Sequence, residues 1–532
     1  MPTGTYAIIC ILYNKMKKIF LSILILQLFC FFSYGQGNNE SAVQSLTNKI
    51  FNADSVSNTS FEFAKKSPFN IRSLMPTQYS NITLGYKQEK GSLMLAQDAG
   101  KINETYLKTE GSTQLGTVML WGLFSYHKTF EDSTMYNHQT RNNISAPYYF
   151  GSPINVSYER AVYNLKVLTE KNLTANNLPL GLGADYRIGN HFSTNDPRGA
   201  ISDFQFNITA TLGYTFFNQL KLGTAYKYGY GQERFSVDYK NNSFSQIVLL
   251  PAYNNYLING YGEAYVKNTE RDFNNDQTRK GVDAYINYEA NNIGKFYFSY
   301  SLVKEKQKYV RSNSSGIFNF NQYSIESNIF NLLWLKNFSN KKLSVILNYN
   351  NVNGKDLNYI YLANNYLYNA EQIGVKTIFS VKSQANLFNY VLGANKEGEE
   401  RKDGLTENNL KYNRLDLIVG FGYNRTTPKL NNWGISLTGV YSLPLNDYLI
   451  VPAINVGQFT QRVIYYDYMY NTATRVGGNL TTDYSFSAFN QIQAGIKIGV
   501  SYLSRTDIKD RNYTYQPGKD RFSSNISLNL YF

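Results

Sequence analysis

The side chains able to do chemistry are few. Three histidines occur in 532 residues: His127, His138 and His191. A serine hydrolase needs a histidine within hydrogen-bond reach of both a serine and a carboxylate. A metal site needs several ligands converging at fixed spacing. The sequence pattern predicts His127 at a strand end, His138 in a long loop and His191 at the start of another loop, and no spacing selects a catalytic set. The acidic group Glu270, Asp272 and Asp276 lies near Arg271 without calcium-loop spacing. Catalytic residues, metal sites and cofactors are therefore expected to be none. A membrane-embedded hydrolase is the weakest reading of function.

The second chemical set is charged. Arg160, Lys166, Asp185, Arg187, Lys221, Lys227, Asp283, Glu289, Arg414, Asp416 and Lys497 recur on the polar faces of alternating segments. Stepping from these residues to the elements that carry them gives long strands of period two. Phe204, Phe206, Ile208, Ala210, Leu212, Tyr214 and Phe216 share one face, and Gln205, Asn207, Thr209, Thr211 and Thr215 the other. Leu415, Leu417, Val419, Phe421 and Tyr423 oppose Arg414, Asp416, Gly420 and Gly422. Ile492 to Tyr502 repeats the pattern around Lys497. Soluble sandwich strands average about five or six residues; these are about twice as long. Crossing an apolar band ~25 Å high takes about ten tilted residues.

Short turns are predicted near 114–116, 170–177, 217–219, 290–294, 337–341, 382–385, 425–432 and 486–489. Longer connections are predicted near 89–103, 131–157, 190–203, 240–280, 311–322, 354–366, 398–407, 447–471 and 505–519. That alternation predicts an all-β fold: a transmembrane antiparallel β-barrel of about 18 strands, with about 16 as the lower count. On the lipid side each Lys or Arg would cost ~2–4 kcal/mol at mid-depth, so the charged set is predicted to line the lumen. It then serves as a pore lining or, in the blander reading, as an internal ion-pair network. The Tyr-rich connections 240–280 and 447–471 suit an aromatic girdle, strand extensions, or a surface that stacks on sugars or a partner.

The ends fit an exported barrel. Lys17-Lys18 followed by the apolar run Ile19–Phe32 and by Ser33-Tyr34-Gly35 read as a signal peptide over 1–35, with cleavage before Gln36 and a natural start at Met16. Both cysteines, Cys10 and Cys30, lie in that region, so the mature chain is expected to have none. Removing Lys15, Lys17 and Lys18 lowers the formal net charge from +14 to +11, spread along the chain without a basic patch, and no nucleic-acid partner is expected. Residues 36–78 form an N-terminal segment, periplasmic or lumenal, with a short helix suggested by Val43, Leu46, Ile50 and Phe51. Residues 79–532 form the barrel. In the last strand Ile526, Leu528, Leu530 and Phe532 share one face, the barrel-closing signal that barrel-assembly machinery reads. This strand is expected to pair with the one near Tyr79.

Trp121-Gly122-Leu123-Phe124-Ser125-Tyr126, Asp196-Pro197-Arg198 and the terminal Phe532 strand resemble an uncharacterised family of Gram-negative outer-membrane β-barrels. The resemblance implies the fold and the cell outer membrane, and no substrate or catalytic residue. The function expected is a pore or transport channel for a hydrophilic or amphipathic solute. The runner-up is a non-conducting barrel that partners a surface lipoprotein or a larger uptake or secretion complex.

Overall fold

A computed structural model describes residues 54–532 except 144, 174–176, 218, 246–249, 314–315, 428–430, 490–491 and 508–512. The predicted signal peptide and the suggested helix at Val43–Phe51 lie outside the described residues. The described chain opens with helix α1 (Ser55–Ala64), a 3-10 turn (Pro68–Asn70) and the single helical turn α2 (Ile71–Leu74). Asp54 caps α1, its side chain accepting from the Val56 N–H at 3.0 Å.

Strands β1 (Gln78–Gly91), β2 (Lys101–Leu115) and β3 (Val118–Thr134) follow. A short β4 (Tyr148–Gly151) precedes β5 (Val156–Leu173), β6 (Leu178–Ser193), β7 (Arg198–Phe216) and β8 (Leu220–Asp238). Two more short strands, β9 (Tyr256–Asn259) and β10 (Glu263–Val266), lead to β11 (Asp272–Ala290), β12 (Gly294–Asn313), β13 (Gly316–Asn337) and β14 (Lys341–Asn358). Next come β15 (Tyr366–Ser383), β16 (Asn386–Asp403), β17 (Asn409–Thr426) and β18 (Asn432–Ile450). Helix α3 (Tyr465–Asn471) separates these from β19 (Thr474–Phe489), β20 (Ile492–Asp507) and β21 (Asp520–Tyr531).

Eighteen strands form one antiparallel sheet, each paired with the next barrel strand along the chain. The sheet closes where β21 pairs with β1, with Leu528 opposite Leu84 and Leu530 opposite Ile82. The Phe532 N–H adds a bond to the Ser80 carbonyl at 3.1 Å. Closure leaves no sheet edge to pair with lipid or another chain.

Alternation decides which face each side chain meets. Leu182 is 60% exposed, Leu392 60%, Val419 62% and Leu437 58%, all on the outer face. In water so extensive an apolar surface would drive aggregation; against lipid it is the stable arrangement. The strands are longer than a membrane requires, from 12 residues in β21 to 22 in β13. On β14 the outer row is apolar through Leu343, Val345, Leu347 and Tyr349, then turns polar at Asn351, Asn353 and Lys355. The loop end therefore stands clear of the apolar band by roughly 20 Å, from about nine tilted residues.

Several connections differ from expectation. The one between β6 and β7 is only Thr194–Pro197, and β12 and β13 reach Asn313 and Gly316. Residues 190–193, 198–203 and most of 311–322 are strand because the long hairpins continue pairing past the membrane, where polar side chains on both faces hide the period-two signal. His191 therefore lies in β6 rather than in a loop, and Asp272 and Asp276 lie in β11. His127 sits within β3 rather than at its end.

Candidate functional site: the barrel lumen

The lumen divides into a filled half and a wet half. In the filled half, inward carboxylates of β3, β7 and β8 receive the connection 135–147. Glu131 is held between Arg160, Nε to Oε2 2.9 Å, and Arg141, Nη2 to Oε2 2.9 Å; Arg141 also reaches Asp98 at 3.2 Å. Asp203 accepts from Asn142 Nδ2 at 3.2 Å and pairs with His191 Nε2 at 2.8 Å. Glu233 accepts from Thr140 Oγ1 at 2.5 Å, Asn143 Nδ2 at 2.9 Å, Asn275 Nδ2 at 2.8 Å and Gln277 Nε2 at 3.0 Å. A buried carboxylate is tolerated only when so saturated. His138, carried in by the same connection, is fully buried against the Tyr158 hydroxyl, and burial with nearby Arg160 pushes its pKa down to about 3.

The segment 54–76 crosses the lumen at the short-turn end. Asp54 pairs with Lys342 at 2.5 Å, Lys65 with Glu110 at 2.5 Å, and Lys66 Nζ donates to Asn331 Oδ1 at 2.6 Å. Ser67 Oγ donates to the Tyr285 hydroxyl at 2.8 Å, and Asn287 Nδ2 to Asn70 Oδ1 at 2.9 Å. Pro68 and Phe69 fill a notch made by the inward glycines Gly181, Gly183, Gly213 and Gly223 of β6, β7 and β8. A Cβ on Gly181, Gly213 or Gly223 would collide with the incoming pair, and one on Gly183 would press on Pro68 at 3.1 Å. Lys221 reaches over the Phe69 ring, bonding the Phe69 carbonyl at 2.8 Å and Glu170 at 2.7 Å. Phe61 packs with Tyr79 and Trp121, whose indole donates to Glu110 at 3.2 Å.

At the loop end, β4, β9 and β10 form a small antiparallel sheet within the buried cluster that also holds Tyr309, Tyr323, Tyr366 and Tyr412 of the barrel wall. Tyr148 of β4 donates to Asp356 of β14 at 2.5 Å. The stretch expected as girdle or strand extension, Val463–Tyr470, is instead a π-helical turn running into α3. Its Val463, Ile464, Tyr468 and Met469 are buried, which a helical face achieves and an isolated strand could not. The Asp467 carboxylate is half-buried, accepts from the Ala96 N–H at 2.7 Å, and is pushed up to about 7 by its loss of solvent. Tyr261 is likewise buried rather than in a girdle.

The structure places the charged set on the inner face, yet not in one array. Arg160, Lys221, Lys227, Asp283, Arg414 and Asp416 are ion-paired: Lys227 with Asp283 at 2.8 Å, and Arg414 with Asp416 at 3.1 Å and Glu397 at 2.8 Å. Lys166 donates to the Lys65 carbonyl at 2.8 Å, and Asp185 is its register partner across β5 and β6. Arg187 lies 3.7 Å from Asp203. Glu289 sits at the turn end with Lys295 at 2.8 Å. Lys497 faces the wet half. There the inward residues Gln372 and Lys376 of β15, Ser436 of β18, Asn479 of β19 and Lys497 of β20 are solvent-exposed while their chain neighbours point to lipid. Glu131, Glu233 and the glycine notch were not legible in the sequence, since the carboxylates' partners lie 10 to 93 residues away and the notch is filled by the distant Pro68 and Phe69. A repeated inward Gly on neighbouring strands was the one available signal for the notch. Among the described residues no cluster of three or more His, Cys, Asp or Glu could hold a metal.

Closed sheet, lipid-facing belt and polar interior together define an outer-membrane β-barrel. Residues 68–532 match the model described as a family of unknown function, DUF6850, and the chain belongs to that family. No curated protein matches it. Among solved structures the chain is similar to the outer membrane transporter YddB from Escherichia coli, at 8% identity over 85% of this chain and 81% of that one, TM-score 0.39. It is also similar to the siderophore receptor PiuA from Acinetobacter baumannii, at 10% over 85% and 82%, TM-score 0.37. The ferric-catecholate import receptor Fiu from E. coli K12 matches at 8% over 86% and 81%, TM-score 0.41.

Proposed function

We propose that the protein conducts a hydrophilic or amphipathic solute across the outer membrane. One observation carries this reading: the exposed inward side chains of Gln372, Lys376, Ser436, Asn479 and Lys497. A barrel built only to be filled would bury and pair them, as it does Glu131, Asp203 and Glu233. An 18-stranded barrel is wide enough for an aqueous path beside the inserted elements. Planar-bilayer recording of the purified barrel tests it: discrete current steps are expected, and a folded, inserted barrel that passes no current overturns conduction.

A second reading, a non-conducting barrel that partners a surface lipoprotein, draws on one feature of the loop end. Between β14 and β15, Ile360 is 76% exposed and Leu362 78%, in water well above the apolar band. Co-purification of one stoichiometric lipoprotein, lost on changing Ile360 and Leu362 to Ser, supports it.

A further inference from the structure

We infer that the wet half of the lumen selects for anions, with Lys376 and Lys497 as the residues that set the preference. This rests on the reading of the lumen as a solute path and names the class of solute.

Orientation comes first. Ile373 and Val375 flank Lys376 on the lipid side, 44% and 39% exposed, and Ile496 and Ile498 flank Lys497, 42% and 45% exposed. Alternation then turns both lysines inward, and both are exposed there. On the same inward faces Gln372, Ser436 and Asn479 are exposed, Gly374 and Gly495 two residues before each lysine add no side chain, and Asp483 is the register partner of Lys497.

The balance of charge comes second. Apart from Asp483, the acids named on this side have close cations: Asp416 and Glu397 face Arg414, Glu89 faces Arg521 at 2.9 Å, and Glu110 sits between Lys65 at 2.5 Å and Lys108 at 2.6 Å. Among the described residues neither Lys376 nor Lys497 makes an ion pair. Asp483 is the register partner of Lys497 and the one acid set against this pair; Lys376 has Gly393 across β16 and Ile346 across β14. Lys66, two residues past α1, donates to the amides of Asn331 and Asn348 and makes no ion pair among the described residues. The uncompensated charge in the solvated space is positive. A narrow, low-dielectric passage concentrates the field of such charges on whatever enters it.

The test places a single cysteine in the wet wall of the full-length folded barrel, Ser436→Cys or Asn479→Cys, and measures its reaction with an anionic and a cationic methanethiosulfonate of the same size. Each rate is normalised to that of a free thiol. We expect the anionic reagent to react at least about threefold faster. Adding Lys376→Gln and Lys497→Gln should bring the ratio close to one, while Lys376→Arg and Lys497→Arg should preserve it. A ratio of one or below, a ratio unmoved by the Gln pair, or no reaction with either reagent overturns the inference. A barrel that keeps the ratio yet passes no current supports the anion preference and overturns conduction alone.

Discussion

The Phe69 ring stacks on Tyr285, centroids 4.8 Å apart and planes 19° from parallel, joining the N-terminal segment to the wall of β11. Behind it Gly213 and Gly223 leave room that no other residue would leave. A ring buried in this way anchors the segment together with the Lys65–Glu110 and Asp54–Lys342 pairs, whose carboxylates are also buried.

Phe69→Ala should therefore loosen residues 54–76 without undoing the barrel. Losing a buried aromatic costs about 3–5 kcal/mol locally. Limited proteolysis is expected to cut within 54–76 in the variant and not in the parent, with heat-modifiable migration retained in both. Gly213→Leu should do the same from the other side. An uncut segment in both variants would remove the anchoring role.

The clasp that α3 makes on the β1–β2 connection, where Asp467 accepts from the Ala96 N–H, should respond to pH through that carboxylate. Its pKa is raised to about 7 in the folded state by burial, so the folded form holds the proton more tightly than the open form. Docking is then strongest below the ordinary carboxyl range and weakens as pH rises through about 7. Hydrogen-exchange protection over 451–473, taken relative to the intrinsic amide rate at each pH, should be greater at pH 5.5 than at pH 8.5. Asp467→Asn should flatten that dependence, and a wild-type profile in the Asn variant counts against the clasp.

The connection 135–147 should respond in the opposite sense. His138 is kept neutral, with a folded pKa of about 3, while the released imidazole titrates near its ordinary value. Stability of this connection is complete above about pH 6.5 and falls away as pH drops toward 3. Exchange protection over 135–147, taken relative to the intrinsic amide rate, is expected to fall between pH 6.5 and 4 and to lose that dependence in His138→Gln. Unchanged protection at pH 4 would mean that the imidazole does not control docking.

Arg160 is 3% exposed and braces Glu131. Arg160→Ala leaves that carboxylate with Arg141 alone, a loss of about 3 kcal/mol, the low end for breaking a buried pair, since one partner stays. The denaturant midpoint should fall while the membrane-inserted form persists. An unshifted midpoint would show that the network adds no stability.

Removing Phe532 should impair assembly while export across the inner membrane continues. The lost residue takes with it the bond from its N–H to Ser80 and the apolar end of the seam between β21 and β1. Normal amounts of heat-modifiable, membrane-inserted protein in the deletion would sink the terminal-signal reading.

The barrel was legible because its cause is local. A strand with lipid on one side and polar lumen on the other must alternate, and Leu415 to Tyr423 or Ile492 to Tyr502 do so residue by residue. The signal faded where that cause stops. Beyond the apolar band both faces meet polar surroundings, so His191 and the start of β11 read as loop although they pair as strand. Val463–Tyr470 misled for a related reason: a Tyr-rich run looks alike in a girdle and on a buried helix, and only contact with the mouth of the barrel distinguishes them.

By itself the sequence determined the closed antiparallel barrel and a strand number of about 16 to 18, because a period of two acts through neighbours on one strand. Only the tertiary structure decided what those inward groups do. Glu233 is matched by Thr140 from 93 residues away and Asp54 by Lys342 from 288 away, while Lys376 makes no ion pair among the described residues. Whether a lumen charge is bound up or left facing water depends on chain that returns across the barrel, and such pairings leave no trace in local spacing.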